Sequence, residues 1–186
     1  MTPKRRFCMS CQHIQTVDES AAVPDAACPK CGQNLFEVLT SVETDMTLFY
    51  RHLANVPVSL LESDDDESLL QPLTGAFYLP EQVMGETRHQ FASWIRTYLS
   101  RVARDGTSDQ VRREKMNAVN PKYVLRNYMA QLAIDAANDS NYKLIDELFQ
   151  LLKQPYSEQP EHQKWFAKRP DWARHKVGCS MLSCSS

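Results

Sequence analysis

Between Leu35 and Leu152 most apolar residues recur at steps of three and four, and that period constrains the fold more than any other feature. Side chains so spaced share one face of a helix, whereas a half-buried strand requires strict alternation. Leu35, Phe36, Leu39 and Val42, then Met46, Phe49, Tyr50 and Leu53, predict a helix or a broken pair that ends before Pro57. Phe91, Trp94, Ile95, Tyr98, Leu99 and Val102 form a stronger stripe, with Arg96, Arg101 and Arg104 on the other face and Gly106 as the stop. Ser108 is placed to cap a short helix from Asp109 to Val119, whose Arg112, Arg113 and Lys115 read as a solvated basic face.

Asn120-Pro121 reads as the opening of the next helix, with Val124, Leu125, Tyr128, Met129, Leu132, Ala133 and Ala136 as its buried stripe. Leu144, Ile145, Leu148, Phe149 and Leu152 mark a partner, so the two predict a helical hairpin. Between these elements, the acidic run Glu62 to Glu67 reads as a solvated loop and residues 71 to 86 as connector. The proline-interrupted aromatic tail, with Tyr156, Trp165, Phe166 and Trp172, is expected to drape across the hairpin.

Composition excludes several functions. The 186 residues carry 21 Lys+Arg against 23 Asp+Glu, a formal charge of -2, which argues against a nucleic-acid partner because such affinity is built from clustered cations. The five glycines, Gly32, Gly75, Gly85, Gly106 and Gly178, are isolated, so neither G-x-G-x-x-G nor a Walker-type phosphate loop can be assembled. No apolar run approaches the roughly 20 residues of a membrane span and no hydrophobic signal core follows the N-terminus, so the expected setting is cytoplasmic and away from membranes.

The cysteines fall into two groups. Cys8, Cys11, Cys28 and Cys31 form two C-x2-C knuckles, the second within Cys28-Pro29-Lys30-Cys31-Gly32. Two such turns place four thiolates around one tetrahedral ion, so residues 1–36 read as a zinc ribbon with a closed, structural Zn²⁺ site. Iron is the alternative metal, a redox dithiol or free thiols the metal-free alternatives, and His13 a substitute ligand that four thiolates make unnecessary. Cys179 and Cys184 sit in a small, polar C-terminal tail and are the redox candidates. The fold class is therefore mainly α: an all-α domain over 37–186 with a helical hairpin, preceded by a small zinc ribbon.

Residues 120–137, Asn-Pro-Lys-Tyr-Val-Leu-Arg-Asn-Tyr-Met-Ala-Gln-Leu-Ala-Ile-Asp-Ala-Ala, closely resemble a signature of the selenoprotein O family of protein adenylyltransferases. Gln154-Pro155-Tyr156, Arg169-Pro170-Asp171-Trp172-Ala173 and Ser183-Cys184-Ser185-Ser186 are similar to the closing segments of that family, in the same order. Upstream, Asp45-Met46-Thr47-Leu48-Phe49-Tyr50-Arg51-His52-Leu53 resembles its D-Y-T-x-F-F-R-x-L stretch, with Met46 and Tyr50 as departures. The resemblance runs from about residue 43 to 186 and concerns the C-terminal region of the family; the four-cysteine ribbon is not typical of it.

The resemblance implies a kinase-like enzyme that uses ATP and Mg²⁺ to transfer AMP to protein hydroxyl groups, but only in a full-length member. This sequence contains no kinase Lys–Glu pair, catalytic-loop Asp with its Asn, or D-F-G-type metal motif, so no catalytic residue carries over. One position does: the third residue from the end is selenocysteine or Cys in the family and here is Cys184. The expectation is a truncated relative that serves as a zinc-containing binding or regulatory module for a protein partner. The alternative is a part of the AMP-transferring enzyme, completed by a separate or missing kinase-like portion.

Overall fold

A computed structural model describes residues 4–7, 14–17, 35–177 and 179. Near the N-terminus, β1 (Lys4–Phe7) and β2 (Ile14–Val17) pair antiparallel, from Lys4 opposite Val17 to Phe7 opposite Ile14. The remaining regular elements are α1 (Leu35–Thr40), α2 (Met46–Leu53), α3 (Asp66–Leu70), α4 (Gly85–Asp105), α5 (Asp109–Val119), α6 (Asn127–Asn138) and α7 (Lys143–Leu152), joined in part by 3-10 turns. The chain is mainly α, as its apolar period predicts.

The first apolar core gathers Leu39 of α1, Phe49 and Leu53 of α2, Leu69 of α3, and Phe91, Trp94, Ile95 and Leu99 of α4. Trp94 stacks on Tyr98, and Phe77 meets Phe91 edge to face, arrangements that aromatic quadrupoles favour. Gly106 ends α4 in the left-handed conformation at φ 63°, and Ser108 accepts the Val111 N–H to start α5. The connector expected over 71–86 contributes to this core. Leu73, Ala76, Phe77 and Val83 are buried because 3-10 turns at Gln71–Ala76 and Pro80–Gln82 fold the segment inward.

A second core joins α6 and α7 to the tail: Tyr123, Tyr128, Met129, Ala133, Leu148, Leu151, Trp165, Ala173 and Cys179. Phe166 packs against both cores. The hairpin and the draped tail are therefore present, with Trp165 donating its indole N–H to Glu147 of α7 at 2.8 Å.

Four local expectations are corrected. No helix opens at Asn120-Pro121: Asn120 is extended and α6 starts at Asn127, because the amides of Lys122 and Tyr123 both donate to the Pro155 carbonyl instead of to a helix. Leu125 is accordingly exposed. On α7, Ile145 and Phe149 are exposed, since Leu148 and Leu151 already fill the contact with α6 and the tail. The acidic run is not all loop, for Asp65 accepts the N–H groups of Glu67 and Ser68 and starts α3. Arg112 is buried rather than solvated, and its guanidinium donates to the carbonyls of Leu53 and Val56, to Tyr98 Oη and to Asp109.

Candidate functional site

Among the described residues the buried charged side chains are Asp45, Arg51, Arg112 and Lys122, and all but Arg112 make contacts that link the two cores. Asp45 precedes α2 and accepts the Leu48 N–H at 3.0 Å, as an N-cap should. Its carboxylate also receives both guanidinium nitrogens of Arg126, one at 2.9 Å, in a bidentate pair. Burial opposes the charge on Arg126, but the hydrogen bond and charge of Asp45 outweigh it and hold the guanidinium more basic than usual. The Tyr78 hydroxyl donates to Asp45 at 3.4 Å and accepts the Arg169 N–H at 3.1 Å.

A second node centres on Arg51, whose side chain is only 5% exposed. It donates to the carbonyls of Asn117, Asn120 and Tyr156 and pairs with Glu158. Lys122, also buried, donates to Glu158 at 2.5 Å and to Gln163 at 2.8 Å. Burial would raise the Glu158 pKa, yet the hydrogen bonds and charges of Lys122 and Arg51 prevail and lower it. For Arg51 the balance is reversed, with burial outweighing Glu158 and lowering its pKa.

An open depression of about 580 Å³ is lined by Asp64, Asp65, Asp66, Gly85, Arg88, His89 and Arg96. Asp65 is engaged in capping and Asp66 with Arg96 at 2.6 Å and His89 at 3.2 Å. The hydrogen bonds from Ser68 and from Arg96 respectively hold both carboxyls below the usual range. Among the described residues no group of three or more His, Cys, Asp or Glu is arranged to hold a metal ion. Chemically, these clusters can position segments and neutralise one another.

Cys8, Cys11, Cys28, Cys31 and Cys184 lie outside the described residues. Of the redox candidates, Cys179 is placed, buried in the second core with its N–H donated to the Lys176 carbonyl at 3.1 Å. Sequence reading missed the roles of Asp45, Arg51, Lys122, Arg126 and Glu158. Asp45, Arg51, Lys122 and Arg126 stand inside the resembling stretches, which is their one signal; a pairing across 81 positions leaves no local pattern.

Residues 16–153 match the family described as protein adenylyltransferase SelO. The chain belongs to the SelO family. It is 56% identical over 153 residues to a protein nucleotidyltransferase YdiU of Flavobacterium johnsoniae, an overlap covering 82% of this chain and 28% of that one. A protein of the same name from Rhodopirellula baltica is 47% identical over 159 residues, 82% of this chain and 29% of the relative. One from Nitrosospira multiformis is 44% identical over 171 residues, again 82% of this chain and 30% of the relative. The chain thus spans less than a third of the length of these SelO relatives. The family match begins within β2, upstream of the point near residue 43 where the resemblance is readable by eye, and takes in Cys28 and Cys31.

Proposed function

We propose that this SelO-family chain is a non-catalytic helical module that binds or regulates a protein partner and carries a structural zinc ribbon. The observation behind this reading is the engagement of its charged side chains with one another. Asp45, Asp66 and Glu158 are occupied by Arg126, by Arg96 and His89, and by Arg51 and Lys122. AMP transfer requires carboxylates free to hold Mg²⁺ and donors free to cradle phosphates. The test incubates the full chain with labelled ATP, Mg²⁺ and acceptor proteins. No labelled AMP is expected on any protein, and incorporation dependent on this chain alone would refute the proposal.

Cys8, Cys11, Cys28 and Cys31 would hold one Zn²⁺ in this reading, with the ribbon over residues 1–36. The support is the paired C-x2-C spacing together with the antiparallel β1–β2 pair, whose six intervening residues include Cys8 and Cys11. Iron remains the competing metal for a four-thiolate set. A cytoplasmic setting suits it by keeping thiols reduced. No helix among the described residues is long and apolar enough to cross a membrane. Cys184, with Cys179, is the proposed redox thiol of the tail.

The 56% identity to a nucleotidyltransferase favours a second reading. In it the chain is part of an enzyme that transfers AMP from ATP to protein hydroxyl groups, completed by a kinase-like portion that holds ATP and Mg²⁺. An adjoining reading frame encoding kinase-like lobes, with AMP transfer that rises when this chain is added, would establish it.

A further inference from the structure

We infer that residues 167–177, hinged after Phe166, form an ionically latched strap that opens locally and controls access to the buried Cys179 thiol. The latch is Glu43, which lies outside the second core and pairs with Arg169 at 3.0 Å and Arg174 at 2.8 Å. Lys168 donates to the Phe77 carbonyl at 2.6 Å, and the Arg169 N–H to the Tyr78 hydroxyl. The Tyr78 ring faces the cations of Arg174, Arg169 and Lys168 at 4.9, 5.7 and 6.0 Å. The strap is thus held at its outer side by charge on the segment that precedes α2.

Its inner side is weakly anchored. Between Phe166 and Val177 only Ala173 is fully buried, while Trp172 is 45% exposed and touches Tyr128 edge to face. Lys176 adds a half-exposed pair to Asp135 of α6. Cys179, two positions after Val177, is 2% exposed, shares the second core with Ala173 and donates its N–H to the Lys176 carbonyl of the strap. A segment with little apolar burial and many solvent-reachable ion pairs has a low free energy of local opening. Both guanidinium groups of the latch are reachable by solvent ions, so added salt competes for Glu43 and weakens closure.

Timed iodoacetamide labelling of the full chain, with peptide mapping of Cys179, tests this. Glu43→Gln should raise the Cys179 labelling rate about 3- to 10-fold, the loss of two partly exposed ion pairs, while Glu62→Gln at another exposed carboxylate leaves it unchanged. Sodium chloride should accelerate labelling in the unaltered chain and much less in Glu43→Gln. Amide exchange in α4 should stay constant throughout. An unchanged rate in Glu43→Gln, labelling in the unaltered chain as fast as in urea, or a rise accompanied by faster exchange in α4 would each overturn the strap, the last because opening would then be global.

Discussion

At the scale of single residues, Asp45 joins three tasks: it caps α2, pairs with Arg126 and accepts from Tyr78. Removing one member of a buried pair leaves the other charge unpaired, so Asp45→Asn should destabilise the chain by about 3 kcal/mol in urea unfolding. Asp45→Ala should cost about 1 kcal/mol more, since Asn can still cap and Ala cannot. Equal losses would show that the cap is idle. His52 gives a pH dependence. Its ring lies 5.9 Å from that of Phe166, and burial lowers its pKa below the ordinary 6.5, although the Asp45 charge acts the other way. The unfolded chain therefore takes up the proton first as pH falls. Stability contributed by neutral His52 is full above pH 6.5 and declines as pH drops from there towards the lowered folded value. Urea midpoints measured from pH 7.5 to 5.5 should fall less for His52→Gln than for the unaltered chain.

Elements show what was legible in the sequence. The α4 stripe and its stop were readable because both signals are local: a 3.6-residue period and a glycine where φ turns positive. No atom lies near the space a Gly106 side chain would take, so Gly106→Ala should cost about 1 kcal/mol through backbone strain alone, read as a lowered melting temperature. Around Asn120 the local signal misled. A capping Asn followed by Pro fits a helix start, but the Pro155 carbonyl captured the Lys122 and Tyr123 amides and delayed α6 to Asn127. The tertiary partner lies more than thirty residues on, beyond any local pattern. The same limit hid the buried cations, since nothing in the local pattern around Arg112 or Lys122 separates them from solvated ones. Family resemblance pointed to the stretches that hold Asp45 and Arg126 without revealing that they meet.

For the whole molecule, two cores are fastened together by Phe166 and by the Asp45–Arg126 and Arg51–Glu158–Lys122 contacts. The proposed zinc ribbon should fold on its metal and the helices on their own cores. Native mass spectrometry should find one zinc per chain, and Cys28→Ser should lose it while the helical circular dichroism persists; a chain without metal whose β1–β2 amides remain protected would contradict the ribbon. In the proposed reading this SelO-family chain has no nucleotide chemistry of its own. Calorimetric titration of the full chain with ATP in the presence of Mg²⁺ tests it most directly. No saturable heat is expected, and a saturating one-to-one isotherm would show that the chain binds nucleotide and overturn the non-catalytic reading.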